Sequence, residues 1–335
     1  MNLPFYTASD VEAAVSMPGA INAMKEAFGS ISSGDAVVPL RINMPIEKFH
    51  AHHLSMPAYI NGGKYLTVKL INVHPNNPAK GLKLINGVIL VMEAETGKSV
   101  ALVDGPSVTA IRTGAASGLA TKYLSATDSK KAVVFGNGFQ AKTQIEAIQS
   151  VRDLDEIRVI GRDLDKVESF CEQFDSNVFP GTLNDLLEAD IICTATSSAS
   201  PLFEYGELSK GLHINAVGAH GPTKRELPTK LIQNAKVYVD SLPSSKTEAG
   251  NLIIPIQEGM FEWKMVEGEL GSLIDSNRET INTASDLTVF SSVGTAVQDL
   301  VIAVMAMELN QHCLLYTSDA ADEGLGVDLG GRRII

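Results

Sequence analysis

Three small residues at a strand-to-helix junction carry the most definite chemistry in this sequence. The apolar run Ala132-Val133-Val134-Phe135 leads directly into Gly136-Asn137-Gly138-Phe139-Gln140-Ala141, a G-x-G-x-x-A pattern. Gly136 permits a tight turn, Gly138 lets a pyrophosphate approach the backbone, and Ala141 lets the next helix pack closely on the strand. The helix start adds free N–H groups and the positive end of a dipole, so the pattern implies a dinucleotide held by its phosphates. A second strand, Glu156 to Ile160, lies at the expected distance and ends in Gly161-Arg162-Asp163. An acid at such a strand end would accept the ribose hydroxyls of NAD; here the place holds Gly161 with a guanidinium beside it. Arg162 can pair with a 2′-phosphate, which favours NADP(H), while Asp163 offers a ribose partner one position later and keeps NAD(H) open. The plain alternative for Arg162 is a solvated loop arginine. His50, His52 and His53 cluster along one strand with no carboxylate at matching spacing, so no metal site is expected.

The elements that must position these residues fall into two textures. Ser9-Asp10-Val11-Glu12 has capping-box spacing and opens a first helix; a second follows Pro18, with Ile21, Met24, Phe28 and Ile31 on one face and Gly34 as its stop. Segments near 36–45, 50–60, 65–73, 87–93 and 98–103 read as strands, the last two joined as a hairpin through Glu95-Thr96-Gly97. Pro106 opens a helix to about Leu124 whose Gly114, Ala115, Ala116, Gly118 and Ala120 allow close packing. Beyond Lys130 strands alternate with helices: Lys131 to Phe135, Glu156 to Ile160, Asp190 to Thr194, Leu212 to Val217 and Lys236 to Asp240. That alternation predicts a Rossmann-type, doubly wound parallel sheet, an α/β fold joined to a mixed α+β domain for substrate binding and dimerisation. The expected division is 1–125 with 295–312 as the mixed domain and 126–294 as the dinucleotide domain.

A chain of 335 residues exceeds what one core usually serves, and 44% hydrophobic with 20% charged residues is ordinary globular usage. No apolar run approaches the roughly 20 residues of a membrane span. Met1-Asn2-Leu3-Pro4-Phe5 carries no basic segment followed by an apolar stretch, so no secretory signal is read and a cytoplasmic location is expected. Cys171, Cys193 and Cys313 have no paired spacing and form neither a disulfide framework nor a zinc motif. A net charge of −12 argues against a nucleic acid as partner while leaving room for a basic pocket that binds a small anion. The last stretch is set apart from this reading: residues 313–323 back-translate into the end of a transposon-based sequencing adapter, and 326–335 resemble its outer adapter. Residues 313–335 therefore read as adapter read-through that truncates the natural helix before them. Without their four acids and two bases the chain is still clearly acidic.

Taken together, Thr109-Ala110-Ile111-Arg112-Thr113-Gly114-Ala115-Ala116-Ser117 and the Gly136-to-Ala141 run resemble the signature of the ornithine cyclodeaminase/mu-crystallin family. Pro39-Leu40-Arg41, Met56-Pro57-Ala58-Tyr59, Val68-Lys69, Arg225-Glu226-Leu227, Val239-Asp240-Ser241 and Phe290-Ser291-Ser292-Val293-Gly294 with Asp299 agree, in order, from about residue 8 to 310. The resemblance implies an α-imino- or α-amino-acid carboxylate held by Arg41, Lys69 and Arg112 beneath a nicotinamide ring. Two guanidinium forks would fix the plane of the carboxylate, and an ammonium with a depressed pKa could also give a proton. It further implies cofactor contacts from Arg112, Thr113, Gly136, Gly138, Phe139, Gln140, Ala141, Gly161, Arg162, Asp163, Thr196, Val217 and Gly294, and a homodimer.

Departures from the family pattern narrow the chemistry. Where cyclodeaminases hold the substrate amino group with an aspartate, this chain has His220, and Leu54 stands where that branch tends to carry a glutamate. Losing both acids removes the grip on a second ammonium. His220 offers an acid or base near neutrality, or merely lines the cleft mouth. Three functions remain in view. The first is an NAD(P)H-dependent oxidoreductase that reduces the C=N bond of a ketimine or cyclic imine carboxylate, or reductively aminates a 2-oxo acid, with Lys69 or His220 as proton source. The second is an ornithine cyclodeaminase, and the third a non-catalytic binder of small ligands.

Overall fold

The computed structural model describes residues 3–174, 176–209, 211–274 and 286–322. The first half contains β1 (Phe5–Tyr6), α1 (Ala8–Ala14), α2 (Met17–Ser33), β2 (Ala36–Val37), β3 (Ile42–Ile46), β4 (Ala51–Ile60), β5 (Tyr65–Val73), β6 (Ile85–Glu93), β7 (Ser99–Asp104) and α3 (Gly105–Leu124). Its strands form one mixed sheet in the order β1-β7-β6-β5-β4-β2, with β3 also on β4; only β1 runs parallel to its neighbour. Alternation sets the two faces. On β5, Thr67, Lys69 and Ile71 point inward and are buried, while Leu66, Val68 and Leu70 between them are half-buried.

Three local details differ from the expectations. The first helix is capped by Thr7, whose hydroxyl and backbone exchange bonds with Asp10, so the capping box begins two residues before Ser9. Thr7-x-x-Asp10 satisfies the same spacing, and only Thr7 has the extended backbone that a cap requires. The expected single strand at 36–45 is two, β2 and β3, interrupted around Pro39, which has no N–H to offer a ladder. The two-residue β1 is too short to show any alternation. The second helix behaves as read, with Ile21, Met24 and Phe28 buried and Gly34 ending it in the left-handed conformation.

The second half holds β8 (Lys131–Phe135), α4 (Phe139–Gln149), β9 (Glu156–Ile160), α5 (Leu164–Cys171), β10 (Val178–Pro180), β11 (Ile191–Thr194), β12 (His213–Ala216), α6 (Thr229–Asn234) and β13 (Lys236–Val239). Then come α7 (Leu242–Glu248), α8 (Gly250–Gln257), β14 (Val266–Glu269), α9 (Gly271–Ile274), β15 (Thr288–Ser291) and α10 (Ala296–Asp322). All eight strands are parallel, in the order β10-β9-β8-β11-β12-β15-β13-β14. This is a Rossmann-type α/β sheet. Its inner strands are buried on both faces, which is why Ile191, Ile192 and Cys193 of β11 are apolar in succession rather than alternating. The order reverses between β8 and β11, the switch point at whose strand ends such sheets bind ligands. β10, β14 and β15 were not anticipated as strands; β15 slots between β12 and β13 rather than beside β14, the strand before it in sequence.

The two halves are knit through α3 and α10. α3 is buried along nearly its whole length. A Cβ on Gly114 would lie 2.5 Å from the Thr143 carbonyl oxygen of α4, and one on Gly118 would lie 2.6 Å from Ile21 of α2. Small residues are therefore obligatory where three helices meet. α10 crosses back onto the first half and packs on α1, α2, α3, β4 and β5; Asn310 donates to the Asp10 carbonyl. The end of α3 is fastened by Arg152, which donates to the carbonyls of Thr121, Lys122, Ser125 and Ala126 and to the Ser125 hydroxyl. No described helix is long and apolar enough to cross a membrane. Of the segment read as adapter, 313–322 continue α10 without described side chains and 323–335 lie outside the described residues.

Candidate active site

The turn from β8 to α4 has the form its glycines require. Gly136 adopts φ +111°, donates its N–H to Ile160, and leaves no room for a Cβ, which would lie 2.6 Å from the Ala195 carbonyl oxygen. Gly138 is the N-cap of α4, and a Cβ there would meet nothing within 4 Å. No side chain caps this helix, which leaves its first-turn N–H groups without a side-chain acceptor. Gln140 Oε1 is buried without a partner, Phe139 is exposed, and Ala141 is fully buried beneath the helix. This cradle fits a phosphate of a dinucleotide.

At the end of β9 the absence of an acid has a steric cause: a Cβ on Gly161 would come within 2.6 Å of Val167. Arg162 is exposed and has no ion-pair partner among the described residues. Asp163 is engaged, capping α5 and pairing with Lys166 Nζ at 2.8 Å, which leaves it a poorer ribose acceptor than its position suggested. Across the crevice, the loops after β11 and β12 are tied by one carboxylate that the sequence reading gave no role. Buried Glu226 accepts from the Thr194 hydroxyl, from the hydroxyl and N–H of Thr196, and from the N–H groups of Gly218 and Ala219. The N–H of buried Val217 bonds to the Thr194 carbonyl, completing the same junction.

Facing this crevice is a cluster of cations drawn from distant segments. Lys69 projects from the inner face of β5, 2% exposed, with Nζ 2.5 Å from Asp299 Oδ2 and 3.4 Å from the Thr109 hydroxyl. Arg112, on α3, places Nε 3.2 Å from the other oxygen of Asp299 and donates from Nη1 to Gln298 at 3.0 Å. Burial pushes the Lys69 ammonium down to about 8; Asp299 opposes that fall, while Arg112 and Arg41 deepen it. Arg41 donates from Nη2 to the carbonyls of Val293 and Gly294, at 2.9 and 2.6 Å, and pairs through Nε with Glu248 at 2.9 Å. That carbonyl-bearing loop is itself fixed by buried Asp240, whose Oδ2 accepts from the Ser292 hydroxyl and the N–H groups of Val293 and Gly294. Gly294 has φ +76°, and a Cβ there would lie 2.4 Å from Arg112 Nη1, so only glycine lets the guanidinium lie against the chain.

His220 completes the group from the loop after β12. Solvent reaches it at the cleft mouth although protein crowds it, and that crowding, followed by the charges of Arg41, Arg112, Lys69 and Lys224, holds its imidazole below the usual value. Arg41, Lys69, Arg112, His220 and Gly294 are thus brought together, and Gly136 to Ala141 meet Gly161 and Thr196 at the strand ends. The Thr113 hydroxyl is spent inside α3 on the Thr109 carbonyl. His52 and His53 turn instead to Asn43 and Asn72. Asp299, Asp240, Glu226 and Glu248 were not among the expected site residues. For Asp299 a signal existed: it is the lone ionisable residue between 287 and 307, in an apolar stretch where an unpaired charge would be costly.

The model of the ornithine cyclodeaminase/mu-crystallin family matches residues 2–312. The chain belongs to that family. A Delta(1)-pyrroline-2-carboxylate reductase of Bacillus cereus is 36% identical to it over 284 residues, which is 83% of this chain and 87% of that protein. Among solved structures of the family, a Delta(1)-pyrroline-2-carboxylate reductase of Thermococcus litoralis in complex with NADH and L-proline superposes with a TM-score of 0.86. It is 32% identical and the match covers 98% of this chain and 100% of that one. An archaeal alanine dehydrogenase dimer with bound NAD gives 0.87 at 30% identity, covering 93% and 97%.

Proposed function

We propose that this family member is an NAD(P)H-dependent oxidoreductase that reduces the C=N bond of a small cyclic imine carboxylate of the pyrroline-2-carboxylate type. The carrying observation is Lys69: a buried ammonium poised near 8, set among two guanidinium groups opposite the phosphate cradle. When bound, the reduced nicotinamide supplies the hydride that the imine carbon accepts. Arg41 and Arg112 hold the substrate carboxylate, and Lys69 Nζ gives its proton to the imine nitrogen, leaving a neutral amine. His220, whose imidazole is held below its usual value by the crowding around it and the neighbouring cations, lines the mouth. The similar pyrroline-2-carboxylate reductase in complex with NADH and L-proline, and the alanine dehydrogenase with bound NAD, support this reading.

Reductive amination of a 2-oxo acid is the nearest variant, since the same carboxylate site serves both. Ornithine cyclodeamination is disfavoured because His220 and Leu54 offer no anion to a second ammonium. The deciding experiment supplies NADPH or NADH with cyclic imines, with pyruvate plus ammonia, and with ornithine, following nicotinamide absorbance and products. Net oxidation with imines supports the proposal; proline made from ornithine without net cofactor change overturns it.

Exposed Arg162 argues for NADPH over NADH, although the compared structures hold NADH or NAD. The same reading treats 1–125 with 295–312 as one domain and 126–294 as the other, in a cytoplasmic protein. It also takes the chain as a homodimer, through the outer face of the first sheet. Across that face Pro57, Val68, Leu90 and Leu102 form a half-buried apolar row over four strands. Light scattering at micromolar concentration should give twice the chain mass; a monomer would refute it.

A further inference from the structure

Asp299 stands between the two cations that the reaction needs, and its geometry suggests more than charge balance. One carboxylate oxygen meets Lys69 Nζ at 2.5 Å and the other meets Arg112 Nε at 3.2 Å, with Asp299 1% exposed. The three side chains come from β5, α3 and α10, so a single carboxylate joins the sheet to both helices that cover it. An ammonium carries three N–H bonds, and Asp299 Oδ2 at 2.5 Å takes one of them. Thr109 takes another at 3.4 Å.

We propose that Asp299 is a positioning residue for Lys69: it holds the buried ammonium in its charged form while leaving a proton directed into the cleft. This deepens the reading in which Lys69 is the proton donor and rests on it. The groups facing Lys69 are Arg112 from α3, Asp299 from α10, Arg41 from the segment before β3 and His220 from the loop after β12. Three are basic groups, and burial also opposes charge on Lys69. Asp299 is the lone acid among these groups and has to offset them all. A lysine buried among cations without it would be a neutral amine at physiological pH, able to accept a proton and unable to donate one. When Lys69 does give its proton to the imine nitrogen, the hydride reaching the imine carbon completes the amine. Asp299 is then left beside a neutral Lys69 with Arg112 still paired, so the lost attraction favours reprotonation from solvent.

The experiment uses the full chain without cofactor: lysine labelled at Cε with carbon-13, the Lys69 resonance assigned by its loss in K69R, and a pH titration. In wild type the midpoint should lie near 8. In D299N it should fall by about one pH unit or more, and in D299E it should return towards the wild-type value. The alkaline limb of kcat for imine reduction should move with it. An unchanged Lys69 midpoint in D299N overturns the proposal. So does failure of both variants to fold, which would make Asp299 merely structural. If K69A retains wild-type kcat, the donor reading itself fails; if K69A is inactive and D299N titrates as wild type, only the present inference fails.

Discussion

Replacing Asp240 by asparagine tests how the cation cluster is held. The carboxylate is fully buried and accepts on one oxygen from the Ser292 hydroxyl (2.8 Å), the Val293 N–H (2.9 Å) and the Gly294 N–H (2.5 Å), and on the other from the Ser241 N–H (2.8 Å). An asparagine fits the space but has one acceptor and one NH2. If its oxygen takes the three-donor side, the NH2 confronts the Ser241 N–H; if reversed, three donors lose their acceptor. Either way at least one buried N–H is orphaned and charge-assisted bonds become neutral ones, a cost of about 2–4 kcal/mol. The loop so loosened carries both carbonyls that hold Arg41 and the glycine beneath Arg112. D240N should therefore unfold at a lower temperature and raise KM for the imine about tenfold or more, with a smaller effect on kcat because Lys69 is anchored elsewhere. Thermal melts and steady-state kinetics read both. A variant with the wild-type melting temperature and KM would refute the argument that this buried carboxylate governs the carboxylate site.

Other expectations follow from the same geometry. With Lys69 as the proposed proton donor, kcat should be level below about pH 8 and fall about tenfold per pH unit above it; a flat profile to pH 10 would exclude Lys69 as donor. R162A should bring the affinities for NADPH and NADH together while leaving that for NADH unchanged, as measured by fluorescence titration. G114V should destabilise the chain by several kcal/mol or prevent folding, because its Cβ would clash with the Thr143 carbonyl at 2.5 Å; a soluble variant with native thermal stability would show that α3 and α4 can separate.

What the sequence by itself determined is what nearby residues decide through local sterics and hydrogen bonding. Gly136 and Gly138 are dictated by a turn and a helix start within a few residues, and Gly34 by the end of its own helix. The alternation along β5, and the change from period-two strands to β/α units after residue 130, are local signals too. Arg41, Lys69, Arg112 and His220 were legible only through a family pattern, since each alone reads as an ordinary charged or polar residue. The tertiary structure decided how they are held. Arg112 and Asp299 are 187 residues apart, Arg41 and the Val293 carbonyl 252 apart, and no spacing rule connects them. Nor could the chain order announce that β15 would enter the sheet between β12 and β13, the step that carries Gly294 against Arg112 and sends α10 back to Lys69. The physical reason is that a buried charge is tolerable only where an opposite charge or hydrogen-bond partner meets it, and such partners are chosen by packing rather than by sequence distance.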